Sequence, residues 1–318
     1  MHEACPDLLQ RAGYPTRLAA SLEPEPLRLD VEGAVAILTR DARVDAALMD
    51  AAPHLRVIGV HGVGTDGIAI DEASRRGIAV VNTPGANAHS VAEHALALTF
   101  NLAKAVHRGD RAARSGDATF KFRTSFLELA GATFGVVGFG AIGRATARLA
   151  QGLGMNVLVW TRHTSDPSVG ASDFSYVCEL DELLARSDVV SLHLPSTSQT
   201  RGLIDAERLA RMKPTAFLIN TARGALIDER ALADAIRRAK LGGAGLDVFA
   251  QEPLPAGSPL IGLDNVILTP HVAGSTGAAL RRTATILAQQ VTTVLAGDRP
   301  KHLVNAHAWP TIRARFLA

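Results

Sequence analysis

The sequence predicts an α/β protein built on parallel sheets. Short β-rich apolar runs alternate with helical patterns over most of the 318 residues, which is typical of parallel strands joined by crossover helices. A hydrophobic fraction of 47% with 20% charged residues is ordinary globular composition. The length accommodates two domains of ordinary size and a large core.

The first third of the chain is predicted to form a small α/β unit. Its strands are expected at 35–39, 56–60 and 79–82, and its helices near 45–49 and 70–76. From residue 90 to about 114, the residues Ala95, Leu98, Leu102 and Val106 recur at helical spacing. This longer segment is suited to connect two domains, so the first boundary is placed there.

The second unit is predicted to contain a doubly wound sheet of six strands. The strands are expected at 134–137, 156–160, 189–194, 216–220, 243–247 and 266–269. One helix over about 277–295 should return to the first domain, followed by an irregular tail. The predicted domains are therefore 1–98 with 272–318, and 99–271.

Two helices of the second unit have specific signals. Ile142, Ala145, Leu149 and Leu153 form a stripe three to four residues apart, which we expect to pack on the sheet. Asp228 is predicted to cap the N-terminus of a later helix.

A glycine-rich loop of the form GxGxxG links the first strand of the second unit to its first helix. The loop consists of Gly138, Phe139, Gly140, Ala141, Ile142 and Gly143. The first glycine permits the tight turn, the second lets backbone approach a pyrophosphate, and the third allows close helix packing. The motif alone is weak, but its strand and helix context predicts a dinucleotide site.

The end of the next strand bears on which nicotinamide cofactor binds. An NAD site usually has an acid there to bind the ribose 2′-hydroxyl, but this chain has Trp160, Thr161 and Arg162. A hydroxyl and a cation suit the 2′-phosphate of NADP, so the sequence favours NADP(H). Alternatively, Arg162 is a solvated loop residue or stacks on adenine while NAD binds.

Charge and cysteine content predict no other class of site. The net charge is +2, and no run of like charges suggests a nucleic-acid partner. Cys5 and Cys178 are far apart and without metal-ligand spacing, so neither a metal site nor a disulfide framework is expected. No stretch has the roughly 18 apolar residues of a membrane span. A soluble, cytoplasmic protein with reduced cysteines is the expectation.

Three residues of complementary chemistry follow the glycine-rich loop, at or just after predicted strand ends. Arg223 offers a cation for an acidic substrate, Glu252 a carboxylate and His271 an imidazole. Open α/β sheets bind ligands at the carboxyl ends of their strands, so these side chains are expected to converge. Taken singly, Arg223 could pair with Asp228, Glu252 could be a surface acid, and His271 a hydrogen-bonded loop residue.

The motifs VGFGAIGR, SLHLP, MKPTAFLINTARGALID, GLDVFAQEPLP and LTPHVAG occur in an order and spacing that resemble the D-2-hydroxyacid dehydrogenase family. The segment from Val57 to Leu98 resembles the substrate-domain core of that family. The resemblance implies a Rossmann domain inserted into a smaller flavodoxin-like substrate domain, a nicotinamide cofactor, and a homodimer. It also implies hydride transfer to a small 2-oxo acid, with glyoxylate or hydroxypyruvate favoured over phosphorylated substrates.

The resemblance also implies roles for the three residues. Arg223 would bind the substrate carboxylate and carbonyl oxygen, and His271 would donate the proton that accompanies the hydride. Glu252 would orient and stabilise the protonated imidazole. The loop at Val63 and Gly64 would present backbone N–H groups to the substrate carboxylate.

Further positions match the lining of the family's cofactor site, with strand-end packing as their alternative explanation. They are His193, Pro195, Thr221, Ala222, Asp247 and Gly274. His94 either faces the cleft or is satisfied by its neighbours.

Some features depart from the family or leave its function open. The chain begins where the family has completed a first strand, so the substrate-domain sheet is expected to lack one edge. The tail from Ala306 shows no family pattern, although Trp309 and Phe316 could pack on this domain or a partner subunit. A corepressor-like nucleotide sensor is the alternative to an enzyme, and a formate dehydrogenase is disfavoured because that branch carries an amide at the position of Glu252.

Overall fold

The chain divides into two compact units, and each contains a parallel sheet flanked by helices. The computed structural model describes residues 2–162 and 174–317. The units are Met1–Asn87 with Ser275–Ala318, and Ala88–Gly274. The predicted boundary after residue 98 falls inside a helix that belongs wholly to the second unit, and the boundary after 271 lies three residues before the observed one.

Helices and strands alternate along most of the chain. In chain order they are α1 (Ala4–Arg11), α2 (Pro24–Asp30), β1 (Ala36–Thr39), α3 (Ala46–Asp50), β2 (Val57–Val60), α4 (Ile70–Arg75), β3 (Ala79–Val81), α5 (Ala88–Ala103), α6 (Val106–Arg114), α7 (Phe120–Arg123), β4 (Thr133–Val137), α8 (Ala141–Gly152), β5 (Asn156–Trp160), β6 (Ser175–Tyr176), α9 (Leu180–Arg186), β7 (Val189–Leu192), α10 (Ala206–Arg211), β8 (Phe217–Asn220), α11 (Glu229–Arg237), β9 (Gly243–Leu246), β10 (Val266–Leu268), α12 (Gly277–Leu295) and α13 (Trp309–Leu317). Short 3-10 turns cover Gly224–Leu226 and Ala306–Ala308.

The first unit has a three-stranded parallel sheet in the order β1-β2-β3, with Ala36 opposite Val57. Successive residues of a strand point to opposite faces. Val57 accordingly packs with α1 and α12, whereas Ile58 packs with residues of α3. Gly59 brings α12 close, because a Cβ there would lie 2.9 Å from Leu287 Cδ1.

The outer edge of β3 is covered by residues from the C-terminal segment. The buried Asn305 side chain accepts from the Val80 amide at 2.9 Å and donates to the Ile78 carbonyl at 2.9 Å. Val304 N donates to Val80 O at 2.8 Å. These bonds pair backbone groups that a sheet edge otherwise leaves open.

The expectation of an irregular tail is wrong, because the tail ends in helix α13. Ile312 on this helix is fully buried, and Trp309 and Phe316 pack against the core of the first unit. Arg315 donates to the carbonyls of Leu55 and Arg76, both at 2.9 Å. The helix therefore completes the core of the first unit.

The second unit has a parallel sheet in the order β10-β9-β8-β7-β4-β5-β6. From β4 the chain adds strands towards one edge of the sheet, and from β7 it adds them towards the other edge. The boundary between these two parallel strands is the switch point of a Rossmann-type fold. The predicted α/β class with parallel strands is therefore confirmed. The two-residue strand β6 adds a seventh strand to the six that were predicted.

Helix α8 buries only the first half of the predicted stripe, since Ala145 is buried and Ile142 half-buried. Leu149 and Leu153 are 37% and 36% exposed, whereas Ala147 and Ala150 are fully buried. Small side chains face inward because α8 lies close to β4: a Cβ on Gly143 would be 2.1 Å from Gly138 O. The predicted cap at Asp228 is confirmed, since its Oδ1 accepts from the amides of Arg230 and Ala231, both at 3.0 Å.

Candidate active site

Two of the three predicted catalytic side chains are hydrogen-bonded to each other at the carboxyl end of the sheet of the second unit. Glu252 lies in the loop after β9, and His271 follows β10. His271 Nδ1 lies 2.8 Å from Glu252 Oε2, and the other Glu252 oxygen, Oε1, accepts from Phe249 N at 3.0 Å. A carboxylate oxygen only accepts, so Nδ1 carries the proton and Nε2 is the nitrogen that can serve a substrate.

Charge interactions shift both partners towards their charged forms. The hydrogen bond to Glu252 raises the pKa of His271 above 6.5, although burial and the charge of Arg223 oppose the rise. For Glu252, burial raises the pKa, but the His271 hydrogen bond, the Phe249 amide and the charges of His271 and Arg223 outweigh it and lower the pKa below 4.5. Arg223 therefore lies near enough for its charge to act on both groups.

Arg223 is placed by a turn that sequence reasoning did not anticipate. Asn220, fully buried at the end of β8, accepts from Ala222 N at 3.0 Å and donates to Arg223 O at 2.8 Å. Gly224 brings this turn against the Glu252 loop, because a Cβ there would lie 1.9 Å from Phe249 C. The Arg223 guanidinium donates to Ala222 O at 2.6 Å. An amide that ends an apolar strand was the available signal for Asn220.

Asp247 holds the turn that carries His271. It is fully buried, its Oδ1 accepts from Val272 N at 2.9 Å, and its Oδ2 accepts from Ala273 N at 2.8 Å. Its backbone carbonyl accepts from His271 N at 2.8 Å. The predicted cofactor-lining acid therefore holds the turn that carries His271.

The glycine-rich loop leaves room for a bound dinucleotide. Gly138 has φ +97, and a Cβ there would lie 2.7 Å from His193 O, so the turn excludes side chains at this position. At Gly140, by contrast, nothing lies within 4 Å of the Cβ position. Among the described residues, no side chain caps the N-terminus of α8. These amides and the helix dipole therefore fit a pyrophosphate.

The side chains of the loop and of the strand end differ in exposure. Phe139 is buried, with its ring edge-on to Phe174 and Tyr176, whereas Ala141 is exposed and Ile142 half-buried. Arg162 is exposed, and its Nη1 donates to Gln199 Oε1 at 2.6 Å. Thr161, which precedes it, is half-buried.

The other predicted cofactor positions lie after strands of the second unit. Both ring nitrogens of His193 and the hydroxyl of Thr221 are buried without a partner in the described structure. Burial lowers the pKa of His193 to about 3, so its ring is neutral. Buried polar atoms normally have partners, and these orphaned groups at strand ends, of which His193 lies beside Gly138, fit a bound ligand. Pro195 is exposed, and Ala222 and Gly274 are half-buried.

The predicted substrate loop belongs to the first unit. Val63 is 40% exposed, and its carbonyl accepts from Asn82 Nδ2 at 2.8 Å. Gly64 is half-buried. The segment follows β2 and thus lies at the carboxyl end of that sheet.

His94 is satisfied by neighbouring side chains within the second unit. Its Nε2 lies 3.0 Å from Thr269 Oγ1 and 3.5 Å from Asp247 Oδ1. Of the two explanations that the sequence left open for this histidine, the structure supports the packed residue.

Neither a metal cluster nor a membrane span is seen in the part of the chain that the structure describes. Within 2–162 and 174–317, no group of three or more His, Cys, Asp or Glu could hold a metal ion. No helix in these ranges is long and apolar enough to cross a membrane.

The chain is similar to known proteins over most of its length. The family described as D-isomer specific 2-hydroxyacid dehydrogenase, NAD binding domain, matches residues 96–273. Glyoxylate reductase from Thermofilum pendens is 42% identical over 272 residues, covering 83% of this chain and 78% of that protein. D-3-phosphoglycerate dehydrogenase from Mycobacterium tuberculosis is 44% identical over 278 residues, 86% of this chain, but the chain spans only 52% of that relative. The crystal structure of the TT0316 protein from Thermus thermophilus superposes with a TM-score of 0.85 and 38% identity, covering 95% of this chain and 96% of that one.

Proposed function

Because the chain belongs to the D-isomer specific 2-hydroxyacid dehydrogenase family, we propose that it reduces a small 2-oxo acid, glyoxylate or hydroxypyruvate, with His271 as the proton donor. The single observation that carries this role is the 2.8 Å hydrogen bond between His271 Nδ1 and Glu252 Oε2. It fixes the ring tautomer and favours the protonated imidazole. The protonated ring then has Nε2–H for a substrate oxygen.

Each residue of the site has a defined task in this reaction. When bound, the nicotinamide cofactor supplies the hydride. His271 Nε2 gives its proton to the carbonyl oxygen as the carbonyl carbon gains the hydride, so the C=O double bond becomes an alcohol. Arg223 binds the substrate carboxylate, because its planar guanidinium can hold two oxygens at once. Glu252 stays charged and stabilises the imidazolium before transfer.

Glyoxylate reductase activity is supported by a relative of comparable size that matches most of this chain. The phosphoglycerate dehydrogenase relatives extend well beyond the matched region, since this chain spans about half of their length. We therefore place small unphosphorylated 2-oxo acids first and phosphohydroxypyruvate second. Val63 and Gly64 remain the predicted carboxylate-binding loop.

The proposed cofactor is NADPH rather than NADH. The nicotinamide-cofactor domain itself is shown by the family match. The preference is supported by the chemistry of Thr161 and Arg162, a hydroxyl and a cation at the end of β5, where an NAD site usually has an acid. The exposed Arg162 guanidinium, bonded to Gln199, can turn to a phosphate without breaking a buried contact.

A cytoplasmic homodimer completes the proposal. The family resemblance implies a homodimer, and the second unit exposes several large apolar side chains that a partner subunit would cover. They are Phe100, Val106, Phe122, Phe126, Leu149 and Leu153. Light scattering on the purified protein should give twice the chain mass of 33.4 kDa, and a mass of one chain would refute the dimer.

The decisive experiment is a substrate and cofactor panel. Glyoxylate, hydroxypyruvate, phosphohydroxypyruvate and pyruvate are each mixed with NADPH or NADH, and absorbance of the reduced nicotinamide is followed. We expect the highest kcat/KM with NADPH and one of the first two acids. Higher kcat/KM with phosphohydroxypyruvate would refute the substrate assignment, and no turnover with any acid would support the corepressor-like sensor.

A further inference from the structure

Two side chains one turn apart on α5 contact the turn that carries His271. The buried Ser90 Oγ donates to Ala273 O at 2.6 Å. His94 Nε2 lies 3.0 Å from Thr269 Oγ1. Residues i and i+4 lie on the same face of a helix, so α5 holds the segment Thr269 to Ala273 near both of its ends.

The hydrogen bonds of this turn have a fixed direction. Thr269 Oγ1 lies 2.6 Å from Asp247 Oδ1, and this oxygen already accepts from an amide at 2.9 Å. The hydroxyl therefore gives its only proton to Asp247, and its oxygen must accept from His94. His94 is thus the Nε2–H tautomer, and a chain of donors runs from His94 through Thr269 to Asp247.

The backbone at His271 explains why such support is needed. Its φ is +52, in the left-handed region, which costs free energy for any residue except glycine. Such a conformation persists only where the surroundings determine it. Helix α5 can approach because β9 has Gly245, where a Cβ would lie 2.9 Å from Leu98 Cβ.

We propose that Ser90 and His94 are positioning residues for His271, and that they hold its turn through Ala273 and through Thr269 with Asp247. The proposal rests on the proposed function, in which His271 Nε2 must meet a substrate oxygen. Neither side chain needs to contact substrate for this task. A small displacement of a proton donor is enough to lower the rate strongly.

Kinetics of matched variants test this positioning role. His94→Ala and Thr269→Val should each lower kcat about tenfold, because they leave His271 misplaced, with KM for the 2-oxo acid changed less than about twofold. Thr269→Ser and His94→Gln keep a hydroxyl and an N–H donor, so they should recover most of kcat. The double variant of His94→Ala with Thr269→Val should lose no more kcat than Thr269→Val alone, because both changes break the same chain of hydrogen bonds. His89→Ala, on the same helix, is the control and should keep wild-type kcat.

Nitrogen NMR of the cofactor-free protein gives a readout that does not depend on turnover. The ring nitrogens of His94 should report the Nε2–H tautomer in the wild type and in Thr269→Ser, and lose this fixed state in Thr269→Val. In an active enzyme, a His94 ring with its proton on Nδ1, or additive kinetic losses in the double variant, would overturn the positioning role of His94. A wild-type protein that shows the Nε2–H tautomer yet reduces no 2-oxo acid would refute the proposed function and not the hydrogen-bonded chain.

Discussion

The turn of His271 and the end of β5 at Arg162 are held in opposite ways. The His271 backbone bonds to the carbonyl of the fully buried Asp247, and its ring bonds to Glu252. Arg162 is exposed, and its guanidinium bonds to the exposed side chain of Gln199. Both are proposed to contact a ligand, but only the first is fixed by a network that includes a fully buried side chain.

This difference follows from what each group must do. A proton donor must lie within hydrogen-bond reach of one atom, so its position has to be fixed before substrate arrives. A cation that selects a phosphate acts over a longer range and tolerates movement, since its energy is largely electrostatic. Changes near His271 should therefore affect rate strongly, and changes at Arg162 should affect preference modestly.

The largest effect is expected for His271→Ala. Loss of positioned proton transfer typically lowers the rate ~100-fold or more, so kcat for 2-oxo acid reduction should fall by at least that factor. Stopped-flow and steady-state assays measure it, with the thermal midpoint as a check on folding. His54→Ala, an exposed histidine of the first unit, is the matched control. Near-normal turnover of the His271 variant would remove this residue from the mechanism.

Gly224→Ala tests whether the Arg223 turn needs its close backbone contact. The added Cβ would lie 1.9 Å from Phe249 C, so backbone must move. Overpacking of this kind costs about 1–3 kcal/mol of unfolding free energy, and urea denaturation measures it. Gly257→Ala is the control, because nothing lies within 4 Å of that position. Equal stability of the two variants would show that the contact relaxes without cost.

Glu252→Gln should shift the pH profile of reduction. Reduction needs protonated His271, so kcat/KM is retained at low pH and lost as pH rises through the His271 pKa, which the Glu252 hydrogen bond and charge raise above 6.5. Removing the carboxylate lowers that pKa, so the loss moves to lower pH, and kcat at neutral pH should fall about tenfold. The oxidation reaction needs neutral His271, so its kcat/KM should rise as pH rises through the same pKa. An unchanged midpoint for kcat/KM would contradict the pairing.

Sequence reasoning predicted the strands, α12 and the three main site residues better than the hydrogen bonds that hold those residues in place. The strands fell within a few residues of their predicted positions, and α12 has the predicted bounds. Arg223, Glu252 and His271 were grouped because parallel strands end at one edge of a sheet. Asn220 and the Ser90–Ala273 bond were missed, because their partners are set by loop conformation and packing rather than by spacing.

The errors have a common physical origin. The stripe with Leu149 and Leu153 used large apolar residues as the sign of burial, but the close approach at Gly143 leaves room only for small ones. The strand β6 has two residues, too few for any periodic signal. Helix α13 was missed because arginines interrupt its apolar positions, and one of them, Arg315, bonds to backbone carbonyls of the first unit.

Arg162→Ala should give the narrowest effect, confined to one cofactor, and sharpen the contrast with His271. If the guanidinium binds the 2′-phosphate, its loss should lower kcat/KM with NADPH about tenfold, the scale of one charge-assisted hydrogen bond, and leave kcat/KM with NADH unchanged. Gln199→Ala frees the same guanidinium from its 2.6 Å bond and is expected to keep or raise the NADPH preference, because the cation no longer has a competing acceptor. Equal losses of kcat/KM with both cofactors in Arg162→Ala would mean that this residue contacts the adenine rather than the phosphate. A clear preference of the wild type for NADH would refute the assignment of NADPH. In either case the thermal midpoint should not move, since the side chain is exposed and makes no buried contact in the described structure.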